Sequence, residues 1–213
     1  MVQKTKQEAP RPRGRPRKFD ETEVVERARD VFWNYGYAAS SLDDLAAATG
    51  LNRPSLYAAF GDKHALYLRA LQENRMWSVE GIRQRMASSA PLREVLRDFL
   101  IEAAESTLAG SMGARGCFVI CTAVTESLRD PNTRAVAAGY VADVDRAFRE
   151  RFERSKAELN GGVDPTSAAV VASAMLQTLA VRARTGSGRE ELAGIADAAV
   201  IAICGRIDAG AGS

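Results

Sequence analysis

The densest group of residues able to do chemistry lies at the amino end. Lys4, Lys6, Arg11, Arg13, Arg15, Arg17 and Lys18 stand against one acid, Glu8, so residues 1–18 carry a net charge of +6. The 213-residue chain carries +2 overall, which leaves −4 for the remainder. A basic tail on a mildly acidic body suits a polyanion, nucleic acid first; a merely solvated, disordered terminus is the plainer alternative. Cys117 and Cys121, one helical turn apart on one face, form a second group. Two thiols at that spacing can react with an electrophile or hold a soft metal. A structural metal site wants four N or S ligands, however, and no further Cys or His lies near them in sequence, so both also read as small buried hydrophobes.

Catalytic constellations are missing. Gly110, Gly113 and Gly116 are spaced neither as a P-loop nor as a dinucleotide fingerprint. There is no nucleophile elbow, no zinc-protease pair and no second histidine beside His64, which reads as a surface residue without a role. An enzyme is not expected, and neither a cofactor nor a metal. Composition is that of an ordinary globular protein, with 46% hydrophobic and 26% charged residues. No run of 18 apolar residues occurs and the amino end is basic, so neither a membrane span nor a secretory signal is expected, and the chain is placed in the cytoplasm. Three cysteines do not make a disulfide framework.

The elements that must position these residues read as helices throughout. Val24, Ala28, Val31, Phe32 and Tyr35 share one helical face, Asp20 and Glu23 offer an amino-terminal cap, and Gly36 ends the run. Ser40 and Ser41 open a second, short helix lined by Leu42, Leu45, Ala46 and Thr49 and ended by Gly50. Asn52 caps a third, short helix with Pro54 in its first turn and Leu56 and Phe60 on its inner side. Longer helices are expected over 62–86, 91–108, 117–128, 131–159, 165–184 and 189–207. No β-pattern or solenoid repeat is present. The fold class is all-α, about nine helices: a basic arm (1–18), a three-helix helix-turn-helix domain (19–66) and a larger helical domain (67–213).

The second and third helices, joined through Thr49-Gly50-Leu51-Asn52, form a helix-turn-helix pattern, the arrangement that lays one helix along the DNA major groove. The runs Phe32-Trp33-Asn34-Tyr35-Gly36-Tyr37, Ser41-Leu42-Asp43-Asp44-Leu45-Ala46, Thr49-Gly50-Leu51, Leu56-Tyr57 and Phe60-Gly61-Asp62-Lys63 resemble the DNA-binding domain of the tetracycline-repressor (TetR) family. The resemblance implies a homodimeric repressor on a pseudo-palindromic operator in double-stranded DNA. It also implies release by a small-molecule effector held in the carboxy-terminal domain. An alternative of another class is a helical adaptor or scaffold, which would have no use for the basic arm.

Arg53 at the start of the third helix can fork onto guanine O6 and N7, or contact a phosphate. Pro54 offers only apolar contact and Ser55 reaches a base edge or caps the backbone. By resemblance Tyr57 and Lys63 bind phosphate; Ser41 joins them as a further phosphate candidate. Ala58 and Ala59 depart from the bulkier residues the family often carries there, so direct readout is thin. Arg13-Gly14-Arg15-Pro16-Arg17 contains the Arg-Gly-Arg-Pro core of AT-hook segments, which lays arginines along a narrow minor groove. Residues 19–66 hold four basic groups against eight acids, a deficit the arm offsets.

In the larger domain Trp77, Phe99, Cys117, Phe118, Cys121, Tyr140 and Met175 are expected on helices that, by resemblance, surround a ligand pocket. Ala168, Ala172, Leu176, Leu179, Ile195, Ala199 and Ile203 form small and aliphatic stripes on the last two helices. These are expected either at a four-helix dimer interface or in the core of one protomer.

Overall fold

The computed structural model describes residues 19–110 and 113–206. Nine α-helices and no strand occur among the described residues: α1 (Glu21–Ala39), α2 (Leu42–Thr49), α3 (Arg53–Phe60), α4 (Lys63–Met86), α5 (Leu92–Leu108), α6 (Val124–Glu126), α7 (Pro131–Arg154), α8 (Pro165–Arg184) and α9 (Arg189–Cys204). The protein is all-α, with an amino-terminal helix-turn-helix unit and a larger carboxy-terminal helical body.

Caps written in the sequence set most helix starts. Asp20, Ser41, Asn52, Asp62, Asp130 and Asp164 each accept a backbone N–H in the first turn of the helix that follows. Ser41 and Asp44 form a reciprocal capping box. Pro91 brings no side-chain cap, and the orphan Leu92 N–H is met by Glu158 Oε2 at 2.6 Å, from the 3₁₀ turn that follows α7.

Three expectations are corrected. Gly36 breaks the helical geometry (φ 78°, ψ 166°), yet one more turn follows before Ser40. The segment expected as one helix over 117–128 is instead a π-turn, Val119–Ala123, ahead of the short α6. The helix expected to reach 159 stops at Arg154, because Ser155 leaves helical geometry and the chain continues in two 3₁₀ turns.

The core runs unbroken from head to body. Ala28 and Phe32 of α1, Leu45 of α2 and Leu56 of α3 close the three-helix head. Tyr67 and Leu71 of α4 carry the core into the body, where Phe148, Phe152, Ala172, Leu179 and Ala196 are buried. Helix α4 is continuous across residues 66 and 67, so the expected domain boundary falls inside one rigid element. Helix α8, long and apolar enough by length and composition to cross a membrane, packs here against α5, α7 and α9.

Candidate functional site

Two helices of eight residues each bury little surface and depend on support from outside. The turn between them is made by Gly50 in the left-handed region (φ 71°), where a Cβ would be strained. Thr49 ties the turn from beneath, its hydroxyl donating to the Leu45 carbonyl at 2.6 Å. Asn52 then accepts the Ser55 N–H at 2.9 Å and starts α3. Leu56 is buried behind α3, and Phe60 packs on Phe19 with ring centroids 6.4 Å apart.

With its back so anchored, α3 leaves Arg53, Pro54, Tyr57 and Ala58 exposed and Ser55 half-buried. Tyr57 stands 49% exposed on this face. Arg53 is not free: its guanidinium forks onto the Asp43 carboxylate of α2, at 2.8 Å (Nε) and 2.5 Å (Nη2), and the pairing raises its pKa further. To reach a base it must leave Asp43 or share it.

Two of the expected phosphate-binding groups are already engaged. Ser41 donates both its N–H (2.8 Å) and its hydroxyl (2.6 Å) to Asp44 within the capping box. Lys63 directs its ammonium at the carbonyls of Tyr37 (2.7 Å) and Ser40 (2.6 Å), and over the Tyr37 ring at 4.5 Å. It caps the carboxy-terminal end of α1, as a cation does well there, and keeps one N–H to give. Arg13, Arg15 and Arg17 lie outside the described residues. His64 has a role after all: its Nε2 lies 2.6 Å from Asp130 Oδ2 and joins the start of α4 to the cap of α7. Hydrogen bonds from Thr133 and then His64 hold the Asp130 carboxyl far below the usual carboxylate range.

In the body, a cavity of about 350 Å³ opens between α1, α4, α5, the π-turn, α7 and α8. Of the seven residues expected around a pocket, Trp77, Phe99, Cys117, Phe118 and Tyr140 line it; Cys121 and Met175 do not. Burial pushes both the Cys117 and the Cys121 thiols up, away from the reactive thiolate. Cys117 instead donates weakly to the Tyr140 hydroxyl at 3.6 Å. Gly116 (φ 66°) lets the loop close down on α8, since a Cβ there would meet the Ala180 carbonyl at 2.5 Å.

The cavity wall also includes Trp33, a residue of the helix-turn-helix head. Its indole N–H donates to the Arg115 carbonyl at 3.0 Å, and the Arg115 guanidinium lies 4.5 Å from its ring. Arg115 pairs with Asp30 of α1 at 3.1 Å, while Arg184 of α8 donates to both the Trp33 and Arg115 carbonyls. Trp33 further packs on Phe118, and Tyr67 holds the π-turn through Thr122 at 3.0 Å. Sequence reading does not single out Arg115, Asn74 or Tyr67, and Trp33 enters it only as part of a motif. Trp33, Asn74 and Tyr67 show only aromatic or polar type on a helix, which many core residues share, and Arg115 lies in the loop before the π-turn without any pattern.

Of the two alternatives left open for the stripes on α8 and α9, burial within the protomer accounts for most of their residues. Ala168, Ala172, Leu179, Ala199 and Ile203 are buried within the protomer, Leu176 lines the cavity and Ile195 is half-buried against the core. These residues form the protomer's own core because α8 is gripped from three sides. The large exposed aliphatic residues of the two helices are Val170, Val171, Val181 and Ile201.

Residues 24–70 match the family model described as bacterial regulatory proteins, tetR family. The HTH-type transcriptional regulator YezE of Bacillus subtilis (strain 168) is 31% identical over 150 residues, 70% of this chain and 77% of that one. The HTH-type transcriptional repressor ComR of Escherichia coli (strain K12) is 28% identical over 188 residues, covering 86% and 89%. A variant of the TetR family regulator CifR, solved on a 26-bp operator duplex, superposes with a TM-score of 0.78 at 32% identity, covering 88% of this chain and 99% of that one.

The chain belongs to the TetR family.

As a TetR-family member it is a DNA-binding transcriptional regulator and not an enzyme, and α2–turn–α3 is its helix-turn-helix. The family model stops at residue 70, inside α4, the helix that joins reading head to body in this TetR protein.

Proposed function

We propose that the protein is a homodimeric repressor, acting in the cytoplasm, that leaves its operator when a small molecule enters the body cavity. The observation carrying this reading is the placement of Trp33: one side chain belongs to the DNA-reading head and also to the wall of the cavity. A ligand touching Trp33 or the Arg115 loop acts directly on the tilt of α1, against which α2 and α4 pack. Such a ligand need only prefer one of two head orientations by a few kcal/mol to empty the operator. Repression is the sign carried by the relative ComR, named a transcriptional repressor.

Two recognition helices must lie about 34–36 Å apart to enter successive major grooves, so one protomer cannot read a twofold operator. Support for a dimer comes from α8 and α9, which present Val170 (52% exposed), Val171, Val181 (47%) and Ile201 to solvent. On the DNA side, the proposed contacts are Arg53, Pro54, Ser55 and Tyr57 from α3, Lys63 and Ser41 beside them, and Arg13, Arg15 and Arg17 in the minor groove.

Selection of bound sites from random duplexes by the full chain tests this. The expected product is two inverted half-sites with centres about one helical turn apart, or a multiple of it, each carrying a guanine that disappears from the selection with Arg53→Ala. A single unrepeated half-site would refute the dimer.

A further inference from the structure

We propose that the cavity takes an uncharged, ring-bearing molecule with one carbonyl-type oxygen, held by the Asn74 amide and the Tyr140 hydroxyl. This rests on reading the cavity as the effector site, and it names the chemistry of that effector.

Asn74 carries the argument. It sits on α4, is only 5% exposed, and lines the cavity. No hydrogen bond to its side-chain amide occurs among the described residues. Neither amide atom is sealed in packed core: both keep contact with the open space of the cavity, so the group is held without a protein partner where an entering molecule can meet it. An aliphatic residue there would serve the core better. The amide presents a donor pair and an acceptor to whatever enters.

Tyr140 supplies a second group from α7, the helix that packs beside α4. Its hydroxyl meets only the Cys117 sulfur, at 3.6 Å, a weak partner that an acceptor oxygen would outcompete. Burial keeps the phenol neutral, its pKa well above the ordinary value, so it acts as a donor. Two donors lining one cavity call for an acceptor oxygen. Around them the walls are Trp33, Ile82, Phe99, Phe118 and Leu176, flat or branched apolar surfaces suited to a ring.

Charge argues for neutrality. Among the described residues the ionic side chains lining the cavity are Arg85 and Glu102, and they pair with one another while both remain half-exposed. A charged ligand would therefore lose its hydration without gaining an unspent counter-charge.

Both tryptophans of the chain, Trp33 and Trp77, line the cavity, and although Trp77 is also 77% exposed, a ligand that enters changes the surroundings of both and so the intrinsic emission. The test titrates the full chain with three probes of one shape: indane, 1-indanone and indane-2-carboxylate. Emission is followed, and calorimetry gives affinities. The expected order is 1-indanone about tenfold tighter than indane, with the carboxylate weakest. Asn74→Leu should erase the advantage of 1-indanone while indane binds as before, and Tyr140→Phe should reduce it. Asn74→Leu should melt no lower than the parent, whereas a structural amide would make it melt lower. Equal binding of indane and 1-indanone overturns the proposed chemistry, as does preference for the carboxylate, which would mean that Arg85 leaves Glu102 for an acid. Failure of all three to bind would remove the effector reading together with it.

Discussion

Trp33 donates its indole N–H to the carbonyl of Arg115, 82 positions later in the chain, and the same arginine lays its guanidinium over the indole ring. The contact joins the DNA-reading head to the cavity wall, with Asp30 and Arg184 closing the group from either side. Arg115→Ala should cost about 1–2 kcal/mol, the sum of a partly exposed ion pair and a cation–π contact. Calorimetric melting is expected at a lower temperature than the parent's, still in one transition because α4 and the core run unbroken from head to body. A single transition at the parent temperature would show that the latch carries no coupling.

Arg53 and Asp43 make a second testable pair. The Asp43–Arg53 ion pair is exposed on both sides and adds little stability, so its interest is in DNA binding. Arg53→Ala should weaken operator binding by about 1–3 kcal/mol and relax discrimination at one base position. Asp43→Asn removes one acid from a head with net −4 and frees the fork, so binding should tighten on operator and unrelated DNA alike. Competition mobility-shift assays with a base-substituted operator read both effects. Unchanged discrimination in Arg53→Ala would move that residue to the phosphates.

Removal of residues 1–18 takes away seven basic groups and one acid. Operator affinity should fall, and the slope of log affinity against log salt should flatten by about one for each phosphate that the arm no longer neutralises. An unaltered slope would dissociate the arm from DNA.

Val181→Glu places a charge on the outward face of α8, at a side chain 47% exposed where a carboxylate can reach water. The variant should fold and melt like the parent, yet sediment as a monomer and lose operator affinity. Ala172→Glu, by contrast, puts a carboxylate at a fully buried position and should prevent folding. A Val181→Glu variant that remains dimeric would place the interface elsewhere.

Tyr67 is buried where α1, α4 and the π-turn meet, and burial pushes its phenol up to about 12. The folded protein holds this proton more tightly than the unfolded chain, whose tyrosines titrate near 10. Its share of stability is complete below pH 10 and is lost as pH rises from there to about 12, a fall of about 3 kcal/mol. Denaturant melts of Tyr67→Phe should show a shallower alkaline limb, together with lower stability at neutral pH because the hydrogen bond to Thr122 is gone. An alkaline limb as steep as the parent's would assign that titration to other groups.

The sequence by itself determined the helical class, the caps at most helix starts, the helix-turn-helix and the basic arm. These depend on residues close along the chain: Gly50 makes its turn and Asn52 caps α3 whatever the body does. Tertiary structure alone decided which groups are spent and which are free. Lys63 and Arg53 are cations in any sequence reading, but only packing brings the ends of α1 and α2 close enough to occupy them. His64 finds Asp130 across 66 positions, and Ala172 faces inward because three helices surround α8. Periodicity marks a helix's apolar stripe without naming the partner, so core and interface stripes look alike until the neighbours are placed. The cavity shows this most clearly, because Trp33, Asn74 and Tyr140 come from three helices that share no local pattern.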